Sequence, residues 1–247
     1  MSGKIIIAIG MPRAGSGWHY NLIHDLTVAA GGADARGIRQ RYHLERLLTE
    51  VNCNIGTLSP QRLLPVMIPA WMGNTFAIKA HAGLTPLAAR LIRAGWLRPA
   101  YIYRDPRDAL LSAYEYGQRK RDSRRTGPFS DLTTLDKAIE FMRFYVQVSE
   151  QWLGCEHALH TRYEDLLANY DAETARILDF LNLEADNPAL RAVCEQYRPE
   201  RGSSDQRGTH FVKGKTGRYR QALSPEQQQR CLDLFGDYLE HNGYPLA

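Results

Sequence analysis

The chain has 247 residues, 44% of them hydrophobic, and a formal charge of +4; that is enough apolar material for one large α/β core. So modest a charge excludes a chain-wide nucleic-acid footprint, and no run of about eighteen apolar residues exists to cross a bilayer. After Lys4 the apolar stretch Ile5 to Ile7 breaks at Gly10 and Pro12, too early for a secretory leader, so the expectation is a cytoplasmic protein with no membrane and no nucleic-acid partner.

Taken in chain order, Lys4 to Ile9 is a continuous branched-aliphatic run, the pattern of a strand buried on both faces. A glycine-containing turn, Gly10 to Gly17, then opens a helix whose apolar face is Trp18, Leu22 and Leu26. Thr75 to Ala80 and Pro99 to Tyr103 read as two further strands, and Ala158 to Arg162 as a weaker fourth. Asp105, Pro106 and Asp108 supply an N-cap oxygen, a proline for the first helical position and a first-turn carboxylate. A later helix carries Leu135, Ile139, Met142 and Val146 at helical spacing. Ser224, Pro225 and Gln227 start a terminal helix that stops at Gly243. Two basic stretches, Arg119 to Arg125 and Arg198 to Arg220, read as loops, either solvated or forming a positive rim for an anionic ligand. Cys53, Cys155, Cys194 and Cys231 have neither disulfide-framework nor metal-site spacing, so no metal is expected. The alternation of strands and helices predicts an α/β domain over 1–247, with a mostly parallel central sheet covered by helices on both faces. Ligands of such sheets bind at the carboxyl ends of the strands.

The turn after the first strand is the place to look for an anion, because glycines let the chain turn tightly and leave backbone N–H groups and a positive helix end pointing into it. A plain strand-to-helix turn also favours Gly and Pro. Gly10 and Gly15 keep the glycine spacing of a nucleotide kinase loop, but Ser16 and Gly17 stand where the lysine and the magnesium-binding hydroxyl belong. The basic residue lies inside the loop instead, at Arg13.

From Pro12 through Arg13, Ala14, Gly15, Ser16 and Gly17 to Trp18, the loop resembles that of the sulfotransferases that use 3'-phosphoadenosine 5'-phosphosulfate (PAPS). The resemblance implies a P-loop sulfotransferase fold in which Arg13 meets the phosphosulfate, the loop backbone and Ser16 hold the 5'-phosphate, and Trp18 stacks on adenine. For Trp18 a plain core aromatic is the competing reading. Arg104 and Ser112, eight positions apart from a strand end into the next helix, match the family's 3'-phosphate signature. Arginine suits that task because its planar fork grips two phosphate oxygens. Lys79-Ala80-His81 resembles the Lys-x-His element with the catalytic base, and Tyr163-Glu164-Asp165-Leu166 the element whose tyrosine bonds the adenine end. Lys213 and Gly214 resemble the loop that closes over the 3'-phosphate, although Val212 stands where arginine is usual and Arg218 and Tyr219 replace Asp and Trp. Tyr197 is a candidate for the other side of the adenine sandwich. The dimer motif of animal cytosolic members has no counterpart, and the soluble bacterial members are the better match.

The implied reaction is sulfuryl transfer from PAPS to a hydroxyl or amine of a small-molecule or glycan acceptor, leaving adenosine 3',5'-bisphosphate (PAP). His81 would be the base, with an ordinary pKa of about 6.5, and Lys79 and Arg13 would stabilise developing negative charge. A P-loop kinase-like phosphotransferase and a non-catalytic nucleotide binder are the alternatives. Residues 31–74 and 115–133 carry no resemblance. The acceptor pocket is expected there, with Tyr42, Trp71, Tyr114 and Tyr116 as aromatic walls or as core packing.

Overall fold

The four apolar runs form the strands β1 (Ile5–Gly10), β2 (Phe76–Ala80), β3 (Leu97–Tyr103) and β4 (Leu159–Arg162). In the computed structural model, which describes residues 3–201 and 214–246, they pair entirely in parallel in the order β2-β1-β3-β4. Helices intervene: α1 (Ser16–Ala29), α2 (Ala35–Arg41), α3 (Pro60–Trp71), α4 (Pro86–Arg93), α5 (Pro106–Asp122) and α6 (Leu135–Leu153). After β4 come α7 (Tyr163–Ala168), α8 (Tyr170–Leu181), α9 (Pro188–Gln196), α10 (Tyr219–Ala222) and α11 (Pro225–His241).

Because side chains alternate along a strand, β1 feeds two cores. Ile5, Ile7 and Ile9 pack with Leu63, Val66 and Met67 of α3 and Ala88 of α4. Ile6 and Ala8 pack with Trp18, Leu22 and Leu26 of α1 and with Ile177 and Leu190 beyond. Helices therefore cover both faces, as the unbroken apolar strands require. Truncating a fully buried isoleucine such as Ile7 to alanine costs about 2–5 kcal/mol.

The two legible helix starts are realised. Asp105 accepts a hydrogen bond from the Arg107 backbone N–H at 2.9 Å, and Ser224 forms a capping box with Gln227. Arg107 also reaches back to Asp105 at 2.8 Å, lies 3.9 Å over the Tyr219 ring and donates to the Pro245 carbonyl, so the start of α5 holds the last part of the chain. One expectation is corrected: Arg119, Lys120 and Arg121 belong to the last turn of α5, where cations favour the negative end of the helix. α3 went unread because Pro65 and Pro69 lie inside it and proline ordinarily interrupts a helical pattern. Among the described residues no helix is long and apolar enough to cross a membrane.

Candidate active site

In this strand order the chain leaves β1 for a neighbour on one side and then crosses to the other, so a crevice opens at the carboxyl ends of β1 and β3. Gly10 is in register with Ile102, which sets the loop after β1 beside Arg104 at the exit of β3. Arg13 and Gly15 adopt left-handed φ values of 67° and 78°. Only glycine serves at 15, since a Cβ there would stand 2.7 Å from the Tyr163 ring. A left-handed turn followed by a helix N-terminus is an arrangement that attracts anions, and Gly15, Ser16 and Gly17 line the crevice.

A cleft of about 310 Å³ occupies this position, and Arg13, Gly15, Ser16, Gly17, Trp18, Lys79, His81, Arg104, Ser112, Tyr163 and Gly214 all line it. Ala14 is buried behind the loop. Tyr197 differs from expectation. Its ring belongs to the core that Trp18 joins, and its carbonyl accepts a hydrogen bond from Trp18 Nε1 at 2.9 Å, so it braces Trp18 from within rather than facing the cleft. Trp18 also stacks on Tyr170 at 6.0 Å and meets the Tyr163 edge at 6.4 Å. Val212 and Lys213 lie outside the described residues.

The cleft floor is positively charged. Lys79 is buried, and among the described residues it has no carboxylate in ion-pair contact; burial, with Arg13 as a second cause, lowers its pKa to about 8. Burial likewise lowers Arg13 to about 10, against the stabilising influence of Tyr116. Arg13 Nε donates to Ser112 Oγ at 3.2 Å, and its guanidinium lies 4.9 Å from the Tyr116 ring centre. Arg104 lies 4.4 Å over the Tyr163 ring, donates to the Lys215 carbonyl at 2.8 Å and stands 3.6 Å from Asp108. Asp108 in turn accepts from the N–H groups of Gly217 at 2.6 Å and Tyr219 at 3.2 Å. Arg218 pairs with Glu115. The loop from Gly214 to Tyr219 is thereby anchored to α5 across the cleft.

One edge of His81 opens on the cleft. Its Nδ1 lies 2.6 Å from the Gly10 carbonyl oxygen. A carbonyl only accepts, so Nδ1 carries the proton and Nε2 keeps its lone pair. Burial, then Lys79 and Arg13, push the pKa down to about 3, well below the ordinary value expected from the sequence. Burial does the same to His19 behind the loop, again to about 3, and neither of its ring nitrogens has a partner among the described residues.

Among the lining residues Ser112, Tyr116 and Arg119 were already candidates from the sequence, whereas Glu115, Asn52 and Asn54 escaped it. Ser112, Glu115, Tyr116 and Arg119 are spaced at three, four and seven, so one face of α5 looks into the cleft, and this spacing could have extended the site from Ser112. Asn52 and Asn54 also line it, brought there by a short pairing in which Asn54 is in parallel register with Lys79. No motif announces such a bridge. Of the four aromatic candidates only Tyr116 reaches the cleft, while Trp71 stays 46% exposed on α3. Among the described residues no cluster of His, Cys, Asp and Glu is arranged to hold a metal.

The family model for the sulfotransferase domain matches residues 75–243. Among curated proteins none matches the chain. A mouse sulfotransferase solved in complex with PAP is 15% identical, with 96% of this chain and 85% of that one covered and a TM-score of 0.63. A retinol dehydratase in complex with androsterone and the inactive cofactor PAP is 16% identical, with 95% and 80% covered and a TM-score of 0.58. At such identities the likeness is one of fold.

Proposed function

The chain belongs to the sulfotransferase family, and from that premise we propose that it transfers the sulfuryl group of PAPS to a hydroxyl or amine of a small-molecule or glycan acceptor, as one cytoplasmic domain over 1–247. The observation that carries this reading is the charge of the cleft floor. Lys79 is buried with no carboxylate against it among the described residues, Arg13 is close enough to add to the effect of burial in lowering its pKa, and both line the same cleft as the turn from Gly15 to Gly17. Like charges held together out of water are costly unless an anion joins them.

In this reading Arg13, Ser16 and the backbone of Gly15 and Gly17 hold the 5' end of the donor, Ala14 being turned away with its N–H donated to the Met11 carbonyl, and Trp18 and Tyr163 flank the adenine end. Arg104, Ser112, Lys213 and Gly214 hold the 3'-phosphate. PAPS supplies an activated sulfuryl group. The acceptor oxygen or nitrogen forms the new bond to sulfur as the bond from sulfur to the phosphate oxygen breaks, and PAP leaves with that electron pair. Nε2 of His81 accepts the acceptor's proton, because Nδ1 is committed to the Gly10 carbonyl. Lys79 and Arg13 stabilise the charge that grows on the leaving phosphate. Burial is the main cause that depresses His81, and donor charge offsets the further effect of Lys79 and Arg13, which favours proton transfer to the ring. Both PAP-bound structures with this fold agree with such a donor.

The test is incubation with radiolabelled PAPS and a panel of phenols, alcohols, amines and glycans. Label should pass to at least one class with equimolar release of PAP. No transfer, together with no PAP binding, would overturn the reading.

A further inference from the structure

Asn52 and Asn54 enter the cleft on a tightly closed loop. Thr49 N–H donates to the Asn54 carbonyl at 3.1 Å and Asn54 N–H to Thr49 Oγ1 at 2.9 Å. The segment is then bonded to β2, with Lys79 N–H donating to the Cys53 carbonyl at 3.3 Å and Ile55 N–H to the Lys79 carbonyl at 3.0 Å. Residues in register on parallel strands project to the same face. Asn54 therefore stands level with Lys79 on the cleft side, two residues short of His81.

The two amides present complementary groups. Asn54 Oδ1 accepts the Gly56 N–H at 2.8 Å, which fixes the amide orientation, since an N–H can be met only by the oxygen; the amide has no other partner among the described residues, and Nδ2 is left to donate. Asn52 Oδ1 is buried and has no partner among the described residues. An unmatched buried acceptor calls for a ligand donor. A hydroxyl that both donates and accepts answers both amides, and adjacent hydroxyls on a ring answer them together.

Resting on the sulfotransferase reading, we propose that Asn52 and Asn54 form the acceptor subsite and select a polyhydroxylated acceptor of the glycoside class, holding hydroxyls next to the one offered to His81. A phenol or a sterol with a single hydroxyl leaves Asn52 Oδ1 stranded, and a site built to bond a hydroxyl discriminates strongly against a ligand that lacks it.

The test is a titration of the PAP-loaded protein with p-nitrophenyl β-glucopyranoside and with p-nitrophenol, followed by ligand-observed NMR. The glycoside should bind about tenfold tighter or more. Asn52→Leu, which breaks no hydrogen bond within the described chain, and Asn54→Ala should each weaken the glycoside by about tenfold and change p-nitrophenol less than about twofold. PAP affinity, measured in parallel, should stay within about twofold and reports that the variants are folded. Equal binding of the two probes by the unaltered protein, or variants that leave the glycoside unaffected or weaken both probes alike, would overturn the subsite. Failure of the unaltered protein to bind PAP would instead overturn the reading beneath it.

Discussion

The two sides of the cleft hold their side chains by different means. On the proposed donor side, Arg13, Lys79, His81 and Arg104 hang from strand ends and the turn between β1 and α1, so the register Gly10 to Ile102 and a glycine at 15 determine where they stand. On the proposed acceptor side, Asn52 and Asn54 hang from a hydrogen-bonded loop that touches the sheet at one bridge, and Tyr116 and Phe129 come from the end of α5 and the loop after it. Phosphate and sulfate chemistry demands cations and backbone N–H groups at set places, which constrains the first side. The second answers only to the shape and polarity of its own ligand. Changes on the donor side should therefore alter chemistry or PAP binding by large factors, while changes on the acceptor side should leave PAP binding alone.

The largest effect is expected at His81. His81→Ala should lower transfer by about a hundredfold or more while PAP affinity stays within a few-fold, measured as turnover against calorimetric affinity. Parallel loss of both would make the ring a structural support for the Gly10 carbonyl. Next, Arg104→Ala should weaken PAP by about tenfold or more, because it removes a charged phosphate contact and releases the Lys215 carbonyl. Asp108→Asn, which keeps one acceptor for the anchored loop, should weaken it less.

A titration sharpens the electrostatic part of the contrast. Lys79 is charged below its pKa of about 8 and neutral above it, and an anion prefers the charged form. PAP affinity should be flat from about pH 7, where the phosphates of PAP are ionised, to about pH 8 and fall above it by at most about tenfold per pH unit. Lys79→Arg, charged throughout, should remove the slope; a slope that survives belongs to another group. The smallest change is expected for Arg13→Lys, which keeps the charge but loses the Nε bond to Ser112 and should cost only a few-fold in turnover. Arg13→Ala should reduce turnover more than PAP affinity.

What was legible follows the same division. Three strands could be read because strands buried on both faces must be largely apolar, whereas β4, with His160 and Arg162 and only Thr161 buried, carried the weaker signal; the start of α5 could be read because its cap and proline are local signals. The residues proposed for the donor could be singled out because phosphate binding repeats a motif, and the structure brings Arg13, Lys79, His81, Arg104 and Ser112 to one cleft. Tyr197 was misplaced because an aromatic ring gives no sign in sequence of whether it faces a ligand or braces a neighbour. The lowered pKa of His81 could not be read because burial and the two nearby cations are tertiary facts. Asn52 and Asn54 were missed because a two-bond bridge to β2 has no sequence signature.

The most direct test of the central claim, that this cationic crevice is a PAPS site, is calorimetric titration of the unaltered protein with PAP, adenosine 5'-phosphate and ATP with magnesium. The account predicts that PAP binds at least about tenfold tighter than either of the others, because Arg104 and Ser112 are assigned to the 3'-phosphate. Equal affinity for PAP and adenosine 5'-phosphate, or a preference for ATP, would contradict it.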